Sequence, residues 1–181
     1  MDIALKKSLR LEELTNQFFD ITRYNLQSMP ITKQNIDLVF LLEQLVEESY
    51  PMLQEKKLEC ILNKPKAIQF MGDGDKLARA FGNLLKNAIN YSYLNTTIKI
   101  DIKEYEDKIE IVFKNKGDKI PEYKLKKIFD KFYRADESRT SSTGGAGLGL
   151  AITKQIIELH NGKIYAKNDN EFIEFYIELS K

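Results

Sequence analysis

Residues 142–151 read STGGAGLGLA and hold four glycines. They follow a polar, basic stretch and precede a run, residues 148–159, whose pattern predicts a helix that ends at Asn161 and Gly162. Glycine lets a backbone approach a ligand closely, and the first turn of a helix offers unpaired N–H groups. The stretch is therefore compatible with a dinucleotide-binding turn, a Walker-type phosphate loop, or another kind of nucleotide lid.

The two common phosphate-binding motifs do not match this glycine run. A dinucleotide fingerprint directly follows a strand and ends in Gly or Ala, but here Leu150 stands at its last position and polar residues precede it. A Walker loop places Lys and then Ser or Thr after its last glycine, where this chain has Leu150 and Ala151. The remaining interpretation is a flexible loop that ends on a helix N-terminus, where phosphate is a suitable ligand.

Two arginines just before the glycines favour the same interpretation. Arg134 and Arg139 lie in FYRADESRTSS, residues 132–142. Guanidinium groups bind phosphate oxygens in a planar, two-pronged geometry that lysine cannot match. The alternative is that both arginines are solvated loop charges. Beside the glycines, we predict that they contact phosphate.

A second polar site is predicted in the helix pattern at residues 76–90. In GNLLKNAINYS, residues 82–92, Asn83 and Asn87 are four apart, so both amides lie on one face of the helix, away from its apolar face. Asparagine is unfavourable in the middle of a helix and needs a reason there. Mg²⁺ prefers oxygen ligands and takes few from protein when phosphates and waters supply the rest. We predict Asn87 as a Mg²⁺ ligand; the alternative is that both asparagines belong to the surface or to a polar network.

Composition limits the class of protein. The 181 residues are enough for one substantial core. Lys and Arg number 28 against 27 Asp and Glu, so the net charge of +1 gives no overall field for nucleic acid or an anionic membrane. The single cysteine, Cys60, excludes an internal disulfide and a Cys-rich metal site, and we expect it to be buried in a strand. No run reaches the roughly 18 apolar residues of a membrane span.

The order of predicted elements indicates an α+β fold. Strand patterns occur at residues 31–37, 58–63, 67–71, 97–105, 108–114, 163–167 and 172–179. Helix patterns occur at residues 38–56, with an interruption at Pro51, and at residues 76–90 and 148–159. The hairpin-like pairs argue against a purely parallel sheet. We predict a two-layer α/β sandwich in which about three helices cover one face of a mixed sheet.

The N-terminal residues form a separate pattern. Residues 2–27 predict a helix, with apolar side chains at Leu11, Leu14, Phe18 and Ile21 in steps of three and four. Pro30 ends this pattern, because proline breaks a helix and biases the residue before it to extended geometry. We therefore predict a boundary near residues 28–31.

Four short segments stand in a fixed order along the chain. They are Asn83-x-x-x-Asn87, NKGDKIP at 115–121, IFDKFYRAD at 128–136 and GGAGLGLAI at 144–152. In order and spacing they resemble the N, G1, F and G2 boxes of the ATP-binding domain of sensor histidine kinases. The opening LRLEELTNQFFDITRYNLQ is similar to the end of the second dimerisation helix of such kinases. With DKLARAFGNLLKNA at 75–88, the chain is particularly similar to vancomycin-resistance sensor kinases of the VanS type.

The resemblance implies the domain organisation and the ligands. It implies that residues 1–29 are the C-terminal end of a dimerisation and phosphotransfer helix and that residues 30–181 are the catalytic ATP-binding domain. The implied fold is the two-layer sandwich shared with DNA gyrase B subunits, MutL repair proteins and ATP-dependent dimeric chaperones. The implied cofactors are ATP and Mg²⁺. The parent is expected to be a homodimer anchored in the cell membrane, with this part in the cytoplasm.

Carried over position by position, the resemblance implies a role for each site residue. Asn87 is the Mg²⁺ ligand, Asn83 acts near the γ-phosphate, and Tyr91 flanks the adenine ring. Phe129 and Phe132 anchor the lid on the body by apolar contacts. The implied catalytic residues are Asn83, Arg134 and Arg139. The implied nucleotide-binding residues are Asn83, Asn87, Tyr91, Asn115, Gly117, Ile120, Phe132, Arg134, Arg139, Gly145, Gly147, Leu148 and Gly149.

The chain departs from the family pattern at three positions. Members usually carry Asp where this chain has Asn115, a carboxylate that accepts from the exocyclic amine of adenine. Asparagine can still accept through its oxygen and can also donate to a ring nitrogen. Lys119 replaces the second glycine of that box, and Asn90 stands where many members place a phosphate-binding lysine. Phosphate contacts are therefore expected to depend more on the arginines.

The predicted chemistry is phosphoryl transfer, which requires mainly positioning and charge stabilisation. An amide at position 83 cannot deprotonate water, which favours transfer to a nucleophile such as an imidazole over hydrolysis. His160 is the only histidine, and we expect a structural role for it as a cation at a helix end. The phosphoaccepting histidine is thus expected outside this chain, which should bind ATP without autophosphorylation and act with the dimerisation domain and a response regulator.

Three other interpretations stay open from the sequence. The first is a degenerate nucleotide-binding interaction module that signals ATP occupancy without phosphotransfer. The second is another ATPase of the same fold. The third is a basic nucleic-acid-binding domain, which we do not expect because aromatic residues are thinly interleaved among its lysines and the chain is nearly neutral.

Overall fold

The computed structural model describes residues 30–133 and 147–181. The predicted N-terminal helix lies outside the described residues, as do Arg134, Arg139 and Gly145. The described helices are α1 (Leu38–Glu48), α2 (Tyr50–Glu55), α3 (Gly74–Tyr91), α4 (Glu122–Leu125) and α5 (Gly149–Leu159), with one 3₁₀ turn at Lys127–Phe129. The strands are β1 (Gln34–Asp37), β2 (Glu59–Asn63), β3 (Gln69–Gly72), β4 (Thr97–Glu104), β5 (Lys108–Lys116), β6 (Lys163–Asp169) and β7 (Phe172–Ser180).

Five strands form one mixed sheet in the order β2-β4-β5-β7-β6. Strand β2 runs parallel to β4, and the other three pairs are antiparallel. The predicted hairpin of β4 and β5 is confirmed, and so is the α+β class. Strand β5 continues two residues beyond the prediction, so that Asn115 lies within the sheet opposite Ile173.

Strands β1 and β3 do not join this sheet. They pair with each other as a separate antiparallel ribbon, with Gln34 opposite Gly72. The sequence predicts both strands but gives no sign of this pairing, because their partners are 30 or more residues apart along the chain. The ribbon leads the chain from Pro30 into α1 and from β3 into α3.

Helices α1, α3 and α5 contribute to the single apolar core with one face of the sheet. Alternation along β5 turns Ile109, Ile111 and Phe113 toward the helices, and Phe81 of α3 meets Phe113 with ring centroids 6.3 Å apart. Cys60 of β2 is only half-buried, contrary to the expectation of full burial, although burial still raises the pKa of its thiol to about 11.

The start of α3 is fixed by Asp73, which is its N-cap residue. The Asp73 carboxylate accepts hydrogen bonds from the backbone N–H of Lys76 at 3.1 Å and of Thr32 at 3.1 Å. It also pairs with the Lys76 ammonium group at 2.5 Å. Burial raises the pKa of Asp73, but these hydrogen bonds outweigh burial and lower it below its usual value. One carboxylate thus ties residue 32 to the start of α3.

His160, at the end of α5, also contacts the start of α3. Its Nε2 accepts the backbone N–H of Asp73 at 3.0 Å, and its Nδ1 donates to the carbonyl of Ile156 at 2.8 Å. A ring that accepts at one nitrogen and donates at the other is neutral. Burial lowers the pKa of His160, which agrees. The expected structural role is confirmed, but the expected cation is wrong, because this ring is 2% exposed and accepts at Nε2.

Candidate functional site: the asparagine face of α3 and the glycine-rich end of α5

The asparagine face of α3 meets the first residue of α5. Asn83 Nδ2 donates to the carbonyl oxygen of Gly149 at 3.1 Å. A Cβ atom on Gly149 would lie 3.7 Å from Asn83 Cγ, an ordinary van der Waals distance, so this end of α5 lies directly against the Asn83 side chain. The structure therefore brings Asn83 of the predicted pair of amides against Gly149 of the glycine-rich stretch, although the two residues are 66 apart along the chain.

Thr153 holds these two helices together, and the sequence analysis did not single it out. Its hydroxyl donates to Gly149 O at 2.8 Å and lies 3.3 Å from Ala80 O. It is fully buried between α3 and α5. A threonine in a helix gives no sign in sequence of whether its hydroxyl bridges to another element, so only the fold reveals this contact.

The two flanks of residues 134–146 are joined by a hydrogen bond. The Phe132 N–H donates to Gly147 O at 3.0 Å. Gly147 has φ of 73°, and a Cβ there would lie 2.9 Å from backbone atoms of Phe132 and Tyr133. This position therefore requires glycine for both conformation and space. Leu148, which follows, is buried in the core and is the N-cap residue of α5.

Phe129 and Phe132 differ in their surroundings. Phe129 is buried, and its ring packs edge-on against Phe175 at 6.3 Å, so it makes an apolar contact with the body of the domain. Phe132 is 63% exposed and has φ of 64°, so the expectation that it anchors the lid by apolar contact is wrong. Sequence cannot distinguish the two because both sit in one short aromatic motif. The left-handed backbone at Phe132 turns its side chain outward.

The end of α3 packs tightly on the end of β5. A Cβ on Gly117 would lie 2.3 Å from the carbonyl oxygen of Tyr91, so this close approach requires glycine. Tyr93 fastens the two ends, since its N–H donates to Lys116 O at 2.9 Å and its hydroxyl donates to Asp118 at 2.7 Å. The Tyr91 side chain is partly exposed, as an aromatic side chain free to stack on a base would be.

Asn115 supplies an unpaired polar group beside Gly117. It is 1% exposed, and within residues 30–133 and 147–181 its Nδ2 is the one buried side-chain polar atom without a hydrogen-bond partner. A Cβ on Gly117 would lie 3.4 Å from this nitrogen. Leaving a buried donor unpaired costs about 1–3 kcal/mol, so the position suits a ligand with an acceptor group.

Ile120 is positioned by a side chain that the sequence analysis missed. Asn168 of β6 accepts from Ile120 N at 3.2 Å and donates to Ile120 O at 2.7 Å. The side chain of Ile120 packs against the core. An asparagine 48 residues away has no local signal for this role, because the contact depends on β6 lying at the edge of the sheet.

Lys56 caps the far end of α3, and the sequence analysis also missed it. Its ammonium group donates to the carbonyls of Ile89 at 2.9 Å and Asn90 at 3.1 Å. A cation at these carbonyls satisfies unpaired acceptors and suits the negative end of the helix. Both ends of the asparagine-bearing helix are therefore fixed by charged side chains, Asp73 and Lys56.

Asn87 remains available on the face of α3 that carries Asn83. It is half-buried, and its amide has no hydrogen bond to the described part of the chain. No group of three or more His, Cys, Asp or Glu residues in that part of the chain could hold a metal ion. An amide oxygen is a suitable hard ligand for Mg²⁺ when phosphates and water complete its coordination. The donor set thus fits magnesium brought with a nucleotide.

Comparison with known sequences agrees with this geometry. The family described as histidine kinase-, DNA gyrase B-, and HSP90-like ATPase matches residues 72–181. The chain is 49% identical over 177 residues to the sensor protein VanS of Enterococcus faecium, which covers 98% of this chain and 46% of that protein. It is 43% identical over 180 residues to VanSC of Enterococcus gallinarum, with 99% and 50% covered. The predicted resemblance to VanS-type kinases is confirmed.

Comparison with solved structures confirms the fold. The catalytic domain of histidine kinase ThkA superposes with a TM-score of 0.74 at 27% identity, covering 84% of this chain and 97% of that one. ThkA in complex with the response regulator TrrA gives 0.81 at 23% identity, covering 96% and 49%. The chain spans about half the length of the curated relatives it matches.

Proposed function

Because the chain belongs to the family of histidine kinase-, DNA gyrase B- and HSP90-like ATPases, we propose that it is the ATP-binding catalytic domain of a sensor histidine kinase. It transfers the γ-phosphate of Mg-ATP to a histidine of a dimerisation and phosphotransfer domain. The two curated relatives described above are sensor proteins, which supports this assignment.

The observation that carries the proposal is the hydrogen bond between Asn83 and Gly149. It brings the amides of α3 to the N-terminus of α5, where unpaired N–H groups and the positive end of the helix dipole favour phosphate. The triphosphate lies along this contact. Asn87 provides its oxygen to Mg²⁺, and Asn83 orients groups near the γ-phosphate.

The residues around the contact complete the nucleotide site. The base lies at the end of β5, where Asn115 meets its edge, Gly117 allows close approach, Tyr91 flanks its ring and Ile120 borders it. Gly147 and Leu148 set the turn into α5. Arg134, Arg139 and Gly145, which lie outside the described residues, are proposed to contact the phosphates, and exposed Phe132 lies at the base of that segment.

The chemistry of the site favours transfer over hydrolysis. Asn83 offers an amide where a general base for water would be needed, and an amide cannot accept that proton. An acceptor that is already nucleophilic, such as a neutral imidazole, needs no such base. The only histidine of this chain is His160, and both of its ring nitrogens are engaged within the fold. The phosphate acceptor therefore belongs to another polypeptide segment.

Partners follow from this role. We infer that the domain docks on the phosphotransfer domain of its parent, which then passes the phosphate to a response regulator. A homodimeric, membrane-anchored parent is part of the same proposal, with this domain on the cytoplasmic side. No helix in the described ranges is both long and apolar enough to cross a membrane.

Titration of a fluorescent ATP analogue, followed by anisotropy with and without MgCl₂, tests the proposal. The unmodified chain should bind more tightly with Mg²⁺, because Asn87 would hold the metal ion and the ion would offset the negative charge of the phosphates. Asn87→Ala should remove this gain and weaken Mg²⁺-dependent binding by about tenfold or more. Asn35→Ala, at an exposed asparagine on β1, is the matched control and should behave as the unmodified chain.

Transfer is tested by adding a separate phosphotransfer domain of a VanS-type kinase to the chain and labelled ATP. Acid-labile phosphate should appear on the added domain and not on this chain. Weak binding that does not depend on Mg²⁺, with no labelled product, would contradict the proposal. It would support the alternative of a degenerate nucleotide-binding module.

A further inference from the structure

The Nδ2 atom of Asn115 has no hydrogen-bond partner among the residues that the structure describes. Alternation along β5 places it on the same side as Ile111 and Phe113, facing the helices. Both of those side chains are packed in the core, whereas the Asn115 Nδ2 is buried without a hydrogen bond in the described part of the chain. A buried donor at the end of a strand, beside a glycine that permits close approach, indicates that a ligand completes the hydrogen bond.

The position of this amide is rigidly set. The strand continues to Lys116, whose carbonyl accepts from Tyr93 N–H, and Gly117 packs against the Tyr91 carbonyl. The following residue, Asp118, accepts from the Tyr93 hydroxyl. A side chain on a sheet strand with fixed neighbours has a better-defined position than a side chain on a free loop. It therefore discriminates more strictly between ligands with different hydrogen-bonding edges.

The chemistry of an amide differs from that of a carboxylate at this point. A carboxylate only accepts hydrogen bonds, whereas an amide has one donor end and one acceptor end that a half-turn about its last side-chain torsion exchanges. Adenine offers an amino donor at position 6 and an acceptor at N1. A 6-oxopurine such as guanine or hypoxanthine offers the reverse, an acceptor at O6 and a donor at N1. An amide can match both groups of either edge, whereas a carboxylate can only accept, so it pairs with the amino group of adenine and not with O6 of a 6-oxopurine.

We propose that Asn115 lets the nucleotide site of this chain take 6-oxopurine nucleoside triphosphates, GTP and ITP, as well as ATP. The inference rests on the proposed function, which places the base at Asn115. The buried, unpaired Nδ2 is the donor for O6 of a 6-oxopurine. With adenine, the same nitrogen donates to N1 and the amide oxygen accepts from the exocyclic amine.

Competition binding tests this inference. ATP, ITP and GTP are each used, with MgCl₂, to displace the fluorescent ATP analogue from the unmodified chain and from Asn115→Asp. On the unmodified chain, ITP and GTP should bind within about tenfold of ATP. On Asn115→Asp, a carboxylate faces O6, so ITP should weaken relative to ATP by about tenfold or more. Asn35→Asp introduces the same charge on exposed β1 and should leave the ratio unchanged.

The outcomes separate this inference from the proposed function. ATP binding with ITP weaker by more than about fiftyfold on the unmodified chain would overturn the inference and leave the proposed function intact. An unchanged ITP-to-ATP ratio in folded Asn115→Asp would overturn it too. If no nucleotide binds, ATP included, both this inference and the proposed function are overturned. If Asn115→Asp does not fold by circular dichroism, the ratio measured on the unmodified chain decides the question.

Discussion

Gly117 is a residue at which the base site leaves no room for a side chain. Gly117→Ala places a methyl group 2.3 Å from the Tyr91 carbonyl oxygen, and this is a backbone atom that cannot rotate away. We expect the free energy of unfolding, measured by urea titration, to fall by about 1–3 kcal/mol. Because the end of β5 must shift, ATP binding should weaken as well.

Gly74→Ala is the matched control for this prediction. Gly74 is the first residue of α3, and a Cβ there would meet its nearest atom, of Ile36, at an ordinary 3.6 Å. Alanine is the better helix former, so unfolding free energy should stay level or rise by up to about 1 kcal/mol. Equal losses for both substitutions would show that the close approach at Gly117 is not the cause.

Individual site residues were predictable where the motif itself encodes their environment. The four-residue spacing predicts Asn83 and Asn87 as one polar site, the family resemblance implies Gly149, and the structure places Asn83 against Gly149. Phe132 was assigned a buried role from the same kind of motif, but its left-handed backbone exposes it. The local sequence does not determine the backbone conformation of a single non-glycine residue. The exposure of Phe132 could therefore not be predicted from the sequence motif alone.

At the scale of elements, the start of α3 depends on Asp73 more than the start of α1 depends on Asp37. Asp37 caps α1 by accepting from Val39 N at 2.9 Å and also accepts from Ile68 N at 3.2 Å, but it forms no ion pair with the described residues. Asp73 also holds Thr32 and the Lys76 ammonium group. We expect Asp73→Ala to lower the free energy of unfolding by about 2 kcal/mol and Asp37→Ala by about 1 kcal/mol.

Thermal and urea unfolding of four proteins checks this order, with Asp73→Asn as the third variant. Asparagine keeps an acceptor for the helix N–H groups but loses the charge that pairs with Lys76. Its loss should therefore lie between those of the unmodified chain and Asp73→Ala. A ranking in which Asp37→Ala is the most damaging would contradict the view that the ion pair with Lys76 makes Asp73 the stronger anchor.

Helices and strands with a clear periodicity of apolar residues were predictable from the sequence. The pairing of strands that lie far apart along the chain was not. The helix after Asp73, the hairpin of β4 and β5, and the end of α5 at Asn161 all follow from local rules. The helix pattern at 38–56 breaks at Ser49, two residues before Pro51, because proline fits the first turn of α2. The ribbon of β1 and β3 depends on contacts between distant segments, for which a single sequence carries no signal.

At the scale of the whole domain, His160 makes stability depend on pH. Its folded pKa lies below the unfolded value of about 6.5, so the unfolded chain binds the proton first as pH falls. The stabilisation is present above about pH 6.5 and is lost as pH decreases toward the folded pKa. Facing charges come from Asp73, Lys33 and Lys76.

Urea titrations at several pH values between 7 and 5 measure this dependence. The unmodified chain should lose at most about 1.4 kcal/mol per pH unit through this histidine, and His160→Gln should lose that part of the slope. The variant should also be less stable at pH 7, because it disturbs the bond to Asp73. Identical slopes in the two proteins would show that His160 is not the titrating group.

The domain as a whole was predictable because four motifs occur in a fixed order, and order constrains a fold more than any one of them. The supporting contacts were not predictable. Asn168, Thr153 and Lys56 position the site through partners 33 to 73 residues away. Such contacts exist only after the sheet and helices have assembled, so sequence periodicity contains no trace of them.

The hold of Asp73 on Thr32 has a consequence for engineering of chimeric receptors. A foreign input module grafted ahead of Pro30 would arrive at an anchored position, because the backbone of residue 32 is already bound to the catalytic body. A rotation imposed by such a module would then be transmitted to α3, because the connection at residue 32 is fixed and is not a flexible linker. Chimeras joined upstream of residue 32 should keep a kinase activity that responds to the foreign module. Chimeras in which Asp73 is also replaced should have an activity that no longer responds to it.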